Sequence, residues 1–215
     1  LAQQFAEEFD KACSPFQFAL STRAGTDCVG HALREISKQH PEKVIISLDG
    51  VGAYDHIDRA QMLRALRDLP GASAILPFVV QFYGGPSTYL WTDENGKIWQ
   101  IEQGDGGEQG DPLMPALFAL GQHPALQSAK SQLHADDTIL AFLDDLYIVT
   151  SRKRARRAFD IVTGEVERVA GIRTNLGKLQ LYSDQQSKAP PGFDDFQKIR
   201  KTGEPPIWTC DAPQP

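Results

Sequence analysis

The sequence is short of several things. No apolar run approaches the ~20 residues that a membrane-spanning helix needs, so no span is expected. Cysteine is scarce: Cys13, Cys28 and Cys210 are too few and too scattered for a disulfide framework or a zinc site, which favours a reducing compartment. Basic residues are outnumbered, 22 Lys and Arg against 28 Asp and Glu. The resulting charge of −6 argues against a protein that coats nucleic acid through a basic surface. It leaves room for acidic groups concentrated in one metal site. A leading methionine is also missing, and no signal-peptide pattern follows Leu1, so the chain reads as a segment of a longer one. What is present is 215 residues, 41% hydrophobic and 23% charged, a globular composition that excludes wholesale disorder.

Along the chain, Thr26 or Asp27 is placed to cap a helix through His31–Ile36 that ends before Pro41. Residues 43–49, Lys-Val-Ile-Ile-Ser-Leu-Asp, read as a buried strand closing on an acid. From Asp58 the spacing of Met62, Leu63, Leu66 and Leu69 is helical until Pro70-Gly71, and a second helix is expected over 72–82. Residues 87–92 and 97–101 flank Asp93-Glu-Asn-Gly96, a hairpin signal. A loop with four glycines follows at 104–111, and Pro112 suits the first turn of a helix carrying Leu113, Leu117, Phe118 and Leu120. Residues 138–142 and 146–150 are two short strands around Leu143-Asp144-Asp145. Ser151 is placed to cap a helix closed by Gly171, and a last strand is expected within 178–182. Residues 184–215 hold six prolines and little apolar periodicity, so they read as a linker or extended tail. The order predicts an α+β fold, a split βαβ sheet with helices on one face.

Two acidic constellations carry the candidate chemistry. Asp49 ends a buried strand, where an acid is costly unless something neutralises it. Asp144-Asp145 puts adjacent like charges at a tight turn, and a divalent cation is a common remedy. If the two strand regions are neighbours, Asp49, Asp144 and Asp145 meet at one edge. Two Mg²⁺ ions ~3.5–4 Å apart are then accommodated, the arrangement used for in-line phosphoryl transfer. Taken singly, each feature is also satisfied by an ordinary solvated turn or cap.

Four segments, taken in order, resemble a reverse transcriptase palm of the non-LTR retrotransposon type. Asp49-Gly-Val-Gly-Ala-Tyr-Asp55 resembles motif A, and Gln109-Gly-Asp-Pro-Leu-Met-Pro115 resembles motif B. Phe142-Leu-Asp-Asp145 resembles motif C, and Gly171-Ile-Arg-Thr-Asn-Leu-Gly-Lys178 resembles motif D. Gln17–Asp27 is loosely similar to a fingers segment. A rival for motif C, His134-Ala-Asp-Asp137, lacks the preceding aromatic and leaves more chain before Gly171 than a helix and a strand fill.

The resemblance implies a partial fingers segment over 1–40 and a ferredoxin-like polymerase palm over 41–183. It implies an RNA-directed DNA polymerase that adds dNTPs to a primer 3′-hydroxyl on an RNA template. Asp49, Asp144 and Asp145 would ligate two Mg²⁺ ions, with Mn²⁺ as a substitute, and Lys178 would act as a proton donor to pyrophosphate. Tyr54 would lie under the incoming sugar and select against a 2′-hydroxyl. Gln109 and Gly110 would line the nucleotide and template site, and Arg23 would reach the triphosphate. Arg152-Lys-Arg-Ala-Arg-Arg157 is either a nucleic-acid contact or a solvated helix face. The remaining fingers, a thumb and an endonuclease are expected elsewhere in a polyprotein working in the nucleus or cytoplasm. Three alternatives stay open: an RNA-templated RNA polymerase, disfavoured by the aromatic at 54; a clustered-acid nuclease; and an inactive or domesticated fragment that binds nucleic acid or protein.

Overall fold

The computed structural model describes residues 2–183, 189–199 and 207–209. In chain order these form α1 (Ala6–Cys13), α2 (Gly25–Gln39), β1 (Lys43–Leu48), α3 (Ala53–His56), α4 (Arg59–Arg67), α5 (Leu76–Tyr83), β2 (Ser87–Thr92), β3 (Ile98–Gln103) and α6 (Met114–Gln132). There follow β4 (Thr138–Phe142), β5 (Asp145–Ser151), α7 (Ala155–Ala170), β6 (Gln180–Tyr182), β7 (Gln197–Ile199) and β8 (Ile207–Thr209).

Six strands make one antiparallel sheet in the order β4-β5-β1-β6-β8-β7. Within it, β1 lies between β5 and β6, and β4 reaches β1 only through β5. That is the split βαβ arrangement expected of the sequence. β1 is central because it alternates: Val44, Ile46 and Leu48 are buried in the core with α6 and α7, while Ile45 and Ser47 face the other way. On that other face lies α2, whose Leu33 and Ser37 line a groove of about 500 Å³ with Ile45, Tyr147 and Tyr182. The Ser37 hydroxyl donates to the Tyr182 hydroxyl at 3.2 Å. The one-sided layering therefore describes α6 and α7, and α2 covers part of the second face.

Several element boundaries differ from expectation, each for a packing reason. α2 starts at Gly25 after a left-handed Ala24 (φ 53°), with neither Thr26 nor Asp27 as its cap. A Cβ at Gly25 would sit 1.9 Å from the Phe18 carbonyl oxygen, so the chain turns into the helix at the one residue without a side chain. Ser151 is still in the β5 ladder, opposite Lys43, which delays α7 to Ala155. The Asp111 carboxylate accepts from the Leu113 amide at 2.8 Å, and α6 begins at Met114 with Pro115 rather than Pro112 in its first turn. The 184–215 stretch read as a linker supplies, in its described residues, β7 and β8, which extend the sheet beyond β6. Phe193 and Trp208 are buried there, and Phe193 meets Phe159 edge-on at 5.7 Å. Strands of three residues are too short to show a period of two. Cys210 lies outside the described residues.

β2 and β3 form a separate two-stranded arm. Among the described residues no helix is long and apolar enough to cross a membrane.

Candidate active site

Asp49 follows the last residue of β1, and the loop beyond it is fastened to the turn after α7. The Asn175 amide donates to the Asp49 carbonyl at 2.8 Å, Gly50 bridges to Thr174, and the Val51 amide donates to the Arg173 carbonyl at 2.8 Å. Gly50 permits this closeness, since a Cβ there would lie 2.7 Å from Ile172 Cγ2. The Asn175 side chain accepts from the Gly177 amide and shapes a single 3₁₀ turn, Leu176–Lys178. That turn delivers the Lys178 Nζ to 2.8 Å from Asp49 Oδ2. The bond and charge of Asp49 push the Lys178 ammonium's pKa up, and Asp144 and Asp145 add to the effect.

Register carries Asp145 to the same place. Leu48 pairs with Leu146, so the step beyond β1 at Asp49 meets the start of β5 at Asp145. The β4–β5 turn is tight enough to hold Leu143 in the left-handed region, φ 54°, which costs a non-glycine residue about 1 kcal/mol or more. A segment from the chain's beginning secures it. Phe16 and Phe18 pair with Ala141 through bonds of 2.8 and 2.9 Å, and the buried Gln17 accepts the Leu143 amide at 2.7 Å. Burial raises the Asp145 carboxyl's pKa, and the charges of Asp144 and Asp49 raise it further against an opposing pull from Lys178.

Tyr54 sits on α3, the short helix after the Asp49 loop. Its ring stacks on Phe118 of α6, centroids 4.7 Å apart and planes 4° from parallel. Burial pushes the phenol's pKa up to about 12, and the charge of Asp144 adds to that. The glycine-rich loop packs against the same helix, with Gly107 donating to the Tyr54 carbonyl at 2.9 Å and Gly106 to that of Ile57 at 2.8 Å. Gly106 has φ 71°, and a Cβ on it would fall 2.3 Å from the Asp55 carbonyl carbon. No other residue fits there.

Arg59 holds this loop in place and was not found from the sequence. It is buried, yet it forms no carboxylate ion pair among the described residues. Its guanidinium donates to the carbonyls of Gly106 (2.7 Å) and Gly85 (2.6 Å) and to Ser87 Oγ (3.0 Å). An arginine one residue after a helix cap gives no sign in sequence of a loop 47 positions away. Gln17 is hidden for the same reason.

The structure thus brings together Asp49, Asp144, Asp145, Lys178 and Tyr54. Gln109 and Gly110 lie exposed at the outer end of the glycine-rich loop, and the exposed Arg23 makes no ion pair with the carboxylates. The rival acid pair behaves differently. Asp137 is buried, accepting from Thr150 Oγ1 at 2.9 Å and Arg154 Nη2 at 2.7 Å. Burial pushes its carboxyl up, but those bonds prevail and hold its pKa below the ordinary value. The basic run at 152–157 is divided: Lys153, Arg156 and Arg157 lie on an exposed face, while Arg152 and Arg154 are turned to partners within the fold. Arg154 serves Asp137, Arg156 pairs with Asp160 at 2.9 Å, and Arg152 donates to the Ala189 carbonyl at 2.6 Å.

Among the described residues no three His, Cys, Asp or Glu side chains form a ready-made metal cage. The donor set nevertheless suits a hard cation. The three carboxylates repel one another, and Asp49 already holds one cation, the Lys178 ammonium. Mg²⁺ is commonly held by one or two carboxylates, with substrate phosphates and water completing its shell.

Comparison with known proteins gives both a family and a fold. The family model described as reverse transcriptase (RNA-dependent DNA polymerase) matches residues 2–195. A retrovirus-related Pol polyprotein from the type-2 retrotransposable element R2DM of Drosophila melanogaster is 27% identical over 154 residues, 68% of this chain and 14% of that protein. A telomerase from Candida tropicalis solved with a TWJ fragment of telomeric RNA matches with a TM-score of 0.67 at 13% identity, over 95% of this chain and 35% of that one. The corresponding Candida albicans complex gives 0.66 at 13%, over 94% and 35%. At such identities the likeness is one of fold, and the chain spans about a seventh of the curated relative.

Proposed function

Because this chain belongs to the reverse transcriptase family, we propose that it is the catalytic palm, residues 41–183, with a fingers segment over 1–40, of a retroelement enzyme that copies RNA into DNA. The observation that carries the reading is the meeting of Asp49, Asp144 and Asp145 beside Tyr54 and Lys178, drawn from three separate stretches of chain.

In this reading Asp49 and Asp144 hold two Mg²⁺ ions, or Mn²⁺ in their place, with Asp145 in a shared position. The bound ions supply Lewis-acid activation of the primer 3′-hydroxyl and charge neutralisation on the triphosphate. The protein's own residues do the rest. Lys178, whose ammonium lies 2.8 Å from Asp49, is the group placed to pass a proton from Nζ to departing pyrophosphate. The Tyr54 ring, fixed flat against Phe118, forms the floor of the sugar site and leaves no room for a 2′-hydroxyl. Its raised pKa keeps the phenol neutral beside Asp144. The exposed Gln109 and Gly110 meet nucleotide and template from the loop that Arg59 anchors, and Arg23 approaches the triphosphate from the fingers side.

Sugar selection tests this reading. The chain, or a longer parent carrying it, is offered oligo(dT) annealed to poly(rA) with Mg²⁺ and either dTTP or UTP. Extension with dTTP alone, relaxed toward UTP by Tyr54→Ala, is the expected result. A folded, template-binding protein that extends with neither nucleotide, in Mg²⁺ or Mn²⁺, overturns it.

A further inference from the structure

Asp49 is held by the Lys178 ammonium, and Asp145 sits in the β4–β5 ladder opposite Phe142. Asp144 has neither support. Among the described residues its carboxylate accepts no hydrogen bond and forms no ion pair. Carboxylates that bind a cation are ordinarily hydrogen-bonded from behind, which fixes the direction they face.

The wall behind Asp144 offers a group for this. Asp144 and Asp49 line a narrow cavity of about 10 Å³ bounded by β1, β5, α6 and α7. Leu48, Leu146, Val162 and Ile172 make much of its wall apolar, and Gln122 of α6 interrupts it. Gln122 lies one helical turn beyond Phe118, the residue stacked on Tyr54, and so on the same side of α6. It is 1% exposed, and its Oε1 is buried without a hydrogen-bond donor among the described residues. Such an oxygen destabilises the fold unless something donates to it. The other polar groups of the wall are engaged elsewhere. Thr163 spends its hydroxyl proton on the Phe159 carbonyl at 2.9 Å, and Arg173 and Thr174 belong to the turn fastened to the Asp49 loop.

The amide oxygen and the Asp144 carboxylate both accept, so those atoms cannot bond each other. A water has two protons to give, and a cavity of this volume holds about one. We propose that Gln122 is a positioning residue for the acids of the site. It acts through one buried water, which donates one hydrogen to Gln122 Oε1 and the other to the Asp144 carboxylate, and so turns that carboxylate toward a cation. The inference rests on the polymerase reading for the cation and on the cavity for the bridge.

Metal binding without catalysis tests it. Gln122→Met keeps the length and bulk of the side chain and removes its polar atoms. Mn²⁺ alone, titrated into the chain and followed by the EPR signal of the free ion, is expected to bind this variant about tenfold more weakly than wild type. In an Asp144→Asn background the same substitution should cost nothing further, because the carboxylate it serves is gone. A Gln122→Met chain that binds Mn²⁺ as wild type does, or that loses as much again without Asp144, overturns the inference. Should the variant not fold, a crystal structure of the wild-type chain decides. One water within hydrogen-bonding distance of both Gln122 Oε1 and Asp144 is expected there, and density without it overturns the bridge. Affinity lost in Asp144→Asn but kept in Gln122→Met removes the bridge and leaves the polymerase reading standing. Weakened Mn²⁺ binding by Gln122→Met, in a chain whose wild type extends no primer, keeps the bridge and loses the polymerase reading.

Discussion

Strand β4 carries an Asp-Asp pair before its first residue and another after its last. At Asp136-Asp137 the fold meets the charge itself: Asp137 is buried, bound by Thr150 and Arg154, and held below its ordinary pKa. At Asp144-Asp145 the charge is left over. A turn with a left-handed Leu143 presents both acids toward Asp49, the Asp145 carboxyl is pushed up, and the Lys178 ammonium nearby is paired with Asp49. On the proposed reading the same dipeptide is structural where the protein neutralises it and chemical where a bound cation would.

The largest effect that sharpens this contrast is expected at the second pair. Asp144→Asn should lower primer extension by about a thousandfold or more, while the urea midpoint stays level or rises slightly as like-charge repulsion is relieved. Lys178→Met comes next, with extension down roughly a hundredfold in single-turnover assays as an acid is lost. Its effect on the urea midpoint should be small beside that of Asp137→Asn, since the Lys178 side chain is 60% exposed in its pair with Asp49.

At the first pair the order reverses. Asp137→Asn should cost about 2–3 kcal/mol in urea unfolding, because it breaks a buried ion pair whose arginine is only partly able to reach water. The pH dependence has a definite sign. A carboxyl whose folded pKa is depressed adds stability that is fully present above its unfolded value near 3.8 and lost as pH falls through the folded value. The gap between wild type and Asp137→Asn should therefore be widest near neutrality and close below about pH 4. Smallest of all is Asp136→Asn, expected within about 0.5 kcal/mol, since its side chain is 68% exposed beside His134. A large cost there would break the contrast between buried and solvated members of the pair.

How much of this was legible in the sequence follows from how local each signal is. β1, the β2–β3 hairpin, α7 with its Gly171 close and the β4–β5 turn were readable, because alternation, Asn-Gly and a left-handed glycine act over a few neighbours. The order of the motifs also pointed to Asp49, Asp144, Asp145 and Lys178, which the fold sets near one another and whose roles are those proposed above. Arg59 and Gln17 were not, since each works on a loop distant in sequence and only packing brings them there. The start of α2 escaped because it is set by the Phe18 carbonyl rather than by a capping side chain. β7 and β8 were hidden among prolines in strands too short to show alternation. Arg154 read as one charge in a basic run, and the Asp137 beneath it decided its role.

If the two acid pairs divide chemistry from stability, one paired measurement separates them. Asp144→Asn and Asp137→Asn are purified side by side and assayed for Mg²⁺-dependent extension of oligo(dT) on poly(rA) and for urea unfolding. Extension abolished in a variant of wild-type stability at 144, with a lowered midpoint and extension retained by the folded fraction at 137, is the predicted result. Extension that survives Asp144→Asn, or vanishes from fully folded Asp137→Asn, would contradict it.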